Sequence, residues 1–440
     1  MQLHLLSFAL FVLFACTIPK SAASTAAAAT ADAPPPNIIL IISDDHGFND
    51  YGFMGNKAVH TPHLDRIAGQ SLLYTRGYVM PVCSPSLASL LTGQYPSGHG
   101  ITGNDLANPT LPRAKARKIR HPIANRLFAN SLLLPKALTD AGYLTLQTGK
   151  LWNMTYRDAG FTHGMTATGD RHGGDGLSIG REGMQPIYDF IQAAQAEKKP
   201  FFVWYAPFLP HTPHNPPARL LSRYKGKGPN EAAELYHAMV EWLDETCGEL
   251  DNFLTQNDLS DNTIILYLAD NGWDGPAAEN RNRSKLSPYE LGVRSPMFVR
   301  WPSRIKAQRD DDTLASIVDF APTILNAAGV KTPSDLPGLD LLDRAAMTAR
   351  NSVFVEAYTH DIADLADPSR SLVTHAVVSG PYKLLLPGNA RPDRVTFSAP
   401  TEIELFDLKA DPFETRNISA EKPDEVARLQ AMLPKIGPRE

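Results

Sequence analysis

Apolar runs alternate with amphipathic ones through most of the chain. Ile38-Ile39-Leu40-Ile41-Ile42, Phe201-Phe202-Val203-Trp204-Tyr205 and Thr263-Ile264-Ile265-Leu266-Tyr267-Leu268 are short, rich in branched and aromatic side chains, and free of polar alternation. Strands of this kind are buried on both faces, as in a parallel sheet covered by helices. Between them, apolar residues recur at helical spacing near Pro62–Gly69, Leu127–Ala141, Gly183–Glu197 and Ala232–Phe253. The alternation predicts an α/β fold, a large mixed, mostly parallel sheet sandwiched by helices. After about Pro333 the runs shorten to Ser352–Ala357, Leu372–Val378, Tyr382–Leu386 and Glu402–Phe406, followed by a helical stretch, Pro423–Leu433. This predicts a small C-terminal antiparallel sheet with one helix. The domain expectation is 35–335 for the large α/β unit and 336–440 for the smaller α+β unit.

The first residues follow neither pattern. Leu3–Ile18 is apolar and Ser21–Ala29 is built of small residues, so residues 1–30 read as a secretory signal peptide. Export is therefore expected, to a periplasmic or extracellular location, or to a lipid anchor at the cell surface through the Leu13-Phe14-Ala15-Cys16 box. The stretch is shorter than a membrane span and no later segment replaces it, so no transmembrane span is expected. At 440 residues, 43% of them hydrophobic, the chain is long enough for a large core. A net charge of −5 argues against general nucleic-acid binding. Past the leader only Cys83 and Cys247 remain, too few for a disulfide framework, and no bridge between them is expected.

Candidate chemistry gathers at a few points. Cys83-Ser84-Pro85-Ser86, followed by a Leu/Ala run, places a thiol at a helix start, where free N–H groups and the helix dipole favour an anion. Asp44-Asp45 and Asp270-Asn271 each follow a buried strand. Ligands of open α/β sheets bind beyond the carboxyl ends of strands, so the two pairs can converge on one point. Three carboxylates and an amide suit a hard cation such as Ca²⁺ or Mg²⁺. Each pair alone also reads as an ordinary turn.

The run Cys83 to Gly93, ending in Leu91-Thr92-Gly93, resembles the signature of the type I, formylglycine-dependent sulfatases of the alkaline phosphatase-like superfamily. Further resemblances follow in order: Asn37–Asp45, Thr61-Pro62-His63-Leu64-Asp65, Gly142-Tyr143 to Lys150, Tyr289 to Pro296, Asp319-Phe320-Ala321-Pro322-Thr323, and Leu405–Leu408 with Asp411-Pro412. The resemblance implies that Cys83 is oxidised to formylglycine by a maturation enzyme. It implies that Asp44, Asp45, Asp270 and Asn271 hold one divalent cation, expected to be Ca²⁺, with residue 83 facing it. Asn271, where two-zinc phosphatases of the superfamily have a His, points to a single metal. Lys150, His211 and Lys285 then supply positive charge to the ester oxygens and a proton to the leaving oxygen. Two positions depart from the pattern. Leu87 stands where the signature has an Arg, leaving its role open to a neighbour such as Arg76. Trp152 replaces a frequent His, with Asn153 next to it as a substrate-binding candidate.

The implied activity is hydrolysis of sulfate esters of a sulfated carbohydrate or an aryl sulfate. Arg113, Lys115, Arg117, Lys118, Arg120 and Arg126 form a cationic segment able to concentrate a polyanion. Tyr358, His360 and Asp361 are candidate pocket-lining residues. Two other functions fit the same residues: a phosphoester hydrolase on this scaffold, and, given Leu87, a catalytically impaired binder of sulfated glycans.

Overall fold

The computed structural model describes residues 34–106, 127–128, 131–151, 154–168, 171–274 and 283–438. The leader, the cationic segment 113–126, Trp152 and Asn153 lie outside the described residues. The main sheet contains β1 (Asn37–Ser43), β2 (Leu72–Tyr78), β4 (Leu144–Gly149), β5 (His163–Gly164), β6 (Phe201–Ala206), β7 (Thr263–Ala269), β8 (Arg294–Arg300) and β9 (Gln308–Ser316). Their order is β5-β4-β6-β1-β7-β8-β2-β9, parallel except for β8, which runs antiparallel to both neighbours. The three apolar runs form the centre, β6-β1-β7, where every residue is buried.

Side chains alternate between two cores, one on each face of the sheet. On one face Ile38, Leu40 and Ile42 pack with Leu87, Leu90 and Leu91 of helix Cys83–Thr92 and with Phe320 and Ile324 of helix Phe320–Ala327. On the other, Ile39 and Ile41 meet Leu64 and Ile67 of helix Pro62–Gly69, Ile187 and Ile191 of helix Gln185–Ala196, and Leu243, Cys247 and Leu250 of helix Glu231–Gln256. Cys247 is thus a buried core thiol, unbridged like Cys83. Among the described residues no helix is long and apolar enough to cross a membrane.

A second, antiparallel sheet has the order β10-β12-β13-β14, formed by Val353–Tyr358, Leu372–Ser379, Tyr382–Pro387 and Glu404–Asp407. Helix Pro423–Gln430 covers one side, with Leu429 against Val377, Leu384 and Leu405. The other side packs Val355, Ala376 and Phe406 onto Tyr78, Val293 and Leu314 of the larger unit. Buried Lys383 pairs there with Glu290 at 3.0 Å and Glu414 at 2.9 Å, which gives the Tyr289-Glu290 motif a structural task. A two-residue parallel pair, β3 (Asp105–Leu106) with β11 (Asp361–Ile362), joins the segment after the Cys83 helix to the C-terminal segment.

Candidate functional site

β1 and β7 are parallel neighbours in continuous register from Asn37/Thr263 to Ser43/Ala269. The residues that follow, Asp44-Asp45 and Asp270-Asn271, therefore emerge side by side. Backbone bonds fix them: Asp270 N donates to Ser43 O at 2.9 Å, Asp44 N to Leu209 O at 2.9 Å, and Asp45 N to Asp270 Oδ1 at 3.3 Å. Asp45 has φ 56°, a left-handed conformation that Asp tolerates better than most side chains.

Lys150 enters from the end of β4. Gly149 has φ 71°, and a Cβ there would lie 1.9 Å from Ala206 O, so the approach of β4 to β6 requires glycine. Beyond that turn Lys150 N donates to Ala206 O at 2.7 Å, and the Trp204 indole donates to Lys150 O at 3.1 Å. The Lys150 Nζ, in a side chain only 1% exposed, donates to Asp44 Oδ1 at 2.6 Å, Asp44 Oδ2 at 2.7 Å and Asp270 Oδ2 at 3.5 Å.

Asp45 gathers the rest. Lys285 Nζ donates to Asp45 Oδ1 at 2.5 Å, and Asn271 Nδ2 to the same oxygen at 2.9 Å. His211 Nε2 lies 3.5 Å from Asp45 Oδ2. Its Nδ1–H donates to Thr212 O at 2.6 Å, and its ring stacks on Phe208 with centroids 4.2 Å apart. Cys83 is the first residue of helix Cys83–Thr92, and its Sγ–H donates to Asn104 Oδ1 at 3.7 Å.

These groups are buried together, and burial sets much of their titration. It raises the Cys83 thiol, against the pull of Lys150 and Lys285. Burial, with Asp44 alongside, raises the Asp270 carboxyl well above the usual range. Asp45 goes the other way: burial favours its protonated form, but Lys285, His211 and Lys150 outweigh that and hold it below the carboxylate range. Burial lowers His211. It also disfavours both ammonium groups, yet Asp44 raises Lys150 and Asp45 raises Lys285 above an ordinary lysine.

Ligand atoms of Asp44, Asp45 and His211 lie within 4.8 Å of one another and could hold a metal. Asn271 Oδ1, an oxygen acceptor in the same cluster, is buried without a hydrogen-bond partner. That set of hard oxygens fits a divalent cation.

The fold thus brings Cys83, Lys150 and Lys285 into mutual electrostatic contact with Asp44, Asp45 and Asp270, and ties Asn271 and His211 to Asp45. Asn153 lies outside the described residues. Arg76 does not take the place of the missing Arg. It points toward the small sheet, donating to Asp312 O at 3.2 Å and Gly380 O at 2.5 Å. Leu87 is fully buried in the core.

Sequence reasoning missed two groups. His172, at φ 66°, packs 5.1 Å from the Phe208 ring and 5.7 Å from the His211 ring, and its carbonyl accepts from Leu151 N at 3.2 Å. The nearby signal was its glycine-rich surroundings, Gly173-Gly174, an unusual backbone next to a titratable side chain. Asn104 carried no signal, because its role depends on a contact with residue 360 that only the folded chain makes.

Comparison with known proteins places this geometry. Residues 36–330 match the family described as Sulfatase, and 283–436 match N-sulphoglucosamine sulphohydrolase, C-terminal. The chain is 30% identical to N-acetylgalactosamine-6-sulfatase of Canis lupus familiaris over 351 residues, covering 68% of this chain and 64% of that relative's length. It is 24% identical to N-acetylglucosamine-6-O-sulfatase of Bacteroides thetaiotaomicron, covering 86% and 81%. A protein solved with its substrate D-glucosamine-2-N,6-O-disulfate shares the fold at TM-score 0.67 and 21% identity, over 90% of this chain and 96% of that one. With the carboxylates and lysines converging as described, and the family match spanning all of the main sheet, the chain belongs to the sulfatase family.

Proposed function

We propose that this protein hydrolyses sulfate esters of a sulfated carbohydrate, with residue 83 as the reactive centre and one divalent cation held by Asp44, Asp45, Asp270 and Asn271. The observation that carries the reading is Asn271 Oδ1, an unpartnered buried acceptor among three carboxylates. A polar atom so placed is costly unless something else binds it. Ca²⁺ suits the oxygen donors. When present, the cation polarises oxygens beside it and an oxidised residue 83 supplies the nucleophile.

The chain's own residues do the remaining work. Asp44, Asp45 and Asp270 set three acidic groups against the two ammonium groups of Lys150 and Lys285. A divalent cation held among them would add positive charge where the sulfate ester binds. Lys150 holds Asp44 and Asp270 in place from below, while Lys285, partly exposed at 18%, is the cation able to reach the ester oxygens. His211 donates from Nδ1 to the Thr212 carbonyl, so Nε2 is the ring atom that, once protonated, can pass a proton to the departing oxygen. The relatives, an N-acetylgalactosamine-6-sulfatase and an N-acetylglucosamine-6-O-sulfatase, support a sulfated carbohydrate as the substrate. Export rests on the leader read from residues 1–30.

Two measurements test the proposal. Mass spectrometry of the tryptic peptide Gly77–Arg113, from protein made with a formylglycine-generating enzyme, should show the aldehyde at residue 83 in place of the thiol. A panel of matched sulfate and phosphate esters should show the sulfates turned over faster. An unmodified thiol together with no sulfate release would sink the reading, and a preference for phosphate would transfer the site to phosphoester hydrolysis.

A further inference from the structure

Asn104 lies between the reactive centre and the C-terminal segment. Its Oδ1 accepts from Cys83 Sγ–H at 3.7 Å, and its Nδ2 lies 3.2 Å from His360 Nε2. His360 Nδ1 lies 2.7 Å from Asp361 Oδ1. The polarity of the chain follows from what each atom can do. A carboxylate oxygen accepts, so His360 Nδ1–H donates to Asp361 Oδ1. The Asn104 amide nitrogen is a donor, so it faces Nε2 as the acceptor of the ring. The remaining amide atom, Oδ1, is left to face residue 83 as an acceptor.

The backbone holds the same partners. Asn104 N donates to His360 O at 2.8 Å, and the next residues pair as β3 and β11, Asp105 with Asp361 and Leu106 with Ile362. A Cβ on Gly103 would lie 2.7 Å from His360 O, so the close approach depends on that glycine. Thr359 Oγ1 donates to Asp361 O at 2.7 Å, bracing the turn that carries the histidine. Asn104 is 3% exposed, whereas the His360 side chain is 34% exposed. The relay therefore runs from the solvent-accessible rim of the C-terminal segment to a buried residue 83.

We infer that Asn104, His360 and Asp361 form a hydrogen-bonded relay that orients the side chain of residue 83, making Asn104 and His360 positioning residues of the reactive centre. The catalytic consequence rests on the proposed function. The hydrogen bond to residue 83 does not, and it can be read in protein that still carries the thiol. A fixed acceptor beside residue 83 limits the directions in which its polar hydrogens can point, and orientation of a reacting group is worth orders of magnitude in rate. His360 acts one step back: it prevents the amide from rotating its NH₂ group onto residue 83.

The test uses the full-length protein in two forms. In the unmatured form, the S–H stretching band of Cys83 is isolated by Raman difference against Cys83→Ala. Asn104→Leu is expected to move that band to higher frequency, as a donor losing its acceptor does, and His360→Leu to broaden it. His360→Gln, whose amide oxygen can still accept from Asn104, should preserve it. In the matured form, with residue-83 conversion equalised by mass spectrometry, Asn104→Leu and His360→Leu should lower kcat for an aryl sulfate by about 10- to 100-fold, with KM changed less than about twofold. His360→Gln should recover most of that loss. An unchanged S–H band in Asn104→Leu overturns the inference, since the bond would then not exist. A normal kcat on the aryl sulfate with a raised KM for a sulfated sugar also overturns it, and makes His360 a sugar contact. If the wild type itself releases no sulfate, the proposed function fails while the Raman result still decides whether the relay is present.

Discussion

Replacing Lys150 with methionine removes the positive charge but keeps most of the buried stem. Lys150 Nζ sits 2.6 Å from Asp44 Oδ1 and 3.5 Å from Asp270 Oδ2. At 2.6 Å and an effective dielectric of about 20 the first pair alone attracts by about 6 kcal/mol. Much of this is offset by the dehydration of both groups, and losing one partner of a buried pair costs about 3–5 kcal/mol. We therefore expect Lys150→Met to lower unfolding free energy by about 3–5 kcal/mol in chelator at pH 7. Ca²⁺ should restore most of the loss, because the excess carboxylates then have another counter-charge. The loss should also shrink toward pH 5. Burial, and Asp44 beside it, favour the protonated form of Asp270, so lowering the pH relieves the repulsion. Urea titrations of wild type and variant, with chelator and with Ca²⁺, at both pH values, provide the assay. A loss below about 1 kcal/mol in chelator, or one that Ca²⁺ leaves untouched, would refute the view that Lys150 balances a cation-binding carboxylate cluster.

Three further outcomes follow from the same structure. Lys285→Ala should reduce kcat for sulfate ester hydrolysis by about 100- to 1000-fold with a smaller change in KM, checked by steady-state kinetics after residue-83 conversion is matched. Gly149→Ala should destabilise the protein by more than about 2 kcal/mol, since its Cβ meets Ala206 O at 1.9 Å; an unchanged urea midpoint would show that β4 can move away. His375, in the small sheet, is held neutral by burial with its pKa lowered to about 4, and its Nε2 has no partner. A depressed histidine contributes stability above its unfolded pKa of about 6.5 and loses it as pH falls toward 4. Wild type should therefore lose up to about 3 kcal/mol more than His375→Leu between pH 7 and pH 4, read from denaturation midpoints at the two pH values.

The parts of the fold that were legible in the sequence are those whose burial is uniform. β1, β6 and β7 lie at the sheet centre, covered on both sides, so each shows as an unbroken apolar run. β2 and β9 gave no such signal. β2 contains Thr75 and Arg76, whose side chains bond Asp311 Oδ1 and Asp312 O, and β9 opens with exposed Gln308 and Arg309 at the sheet edge. Helix Leu134–Asp140 is shorter than the amphipathic stretch 127–141, of which residues 129–130 lie outside the described residues. The acidic pairs were legible because a strand end is also a place in space. Register between β1 and β7 then fixes their meeting. His172 and Asn104 were not legible for the converse reason, because loops separated by tens or hundreds of residues close upon one another and leave no periodic trace. The charge replacing the signature Arg was misplaced for a similar reason. Arg76 is near in sequence but lies on β2, from which it bonds toward the small sheet.

The pairing of β3 with β11 bears on how such proteins can be recombined. A chimera joined near residue 335 would exchange the small sheet as a block and leave every metal-site candidate on its original chain. It would also import a foreign partner for residues 104–106, and with it a different neighbour for the side chain that touches Cys83. Parts that look interchangeable by sequence would then carry hidden compatibility requirements. Exchanges that move residues 101–106 together with 359–362 should keep turnover, whereas those dividing the two segments should lose it without losing the fold.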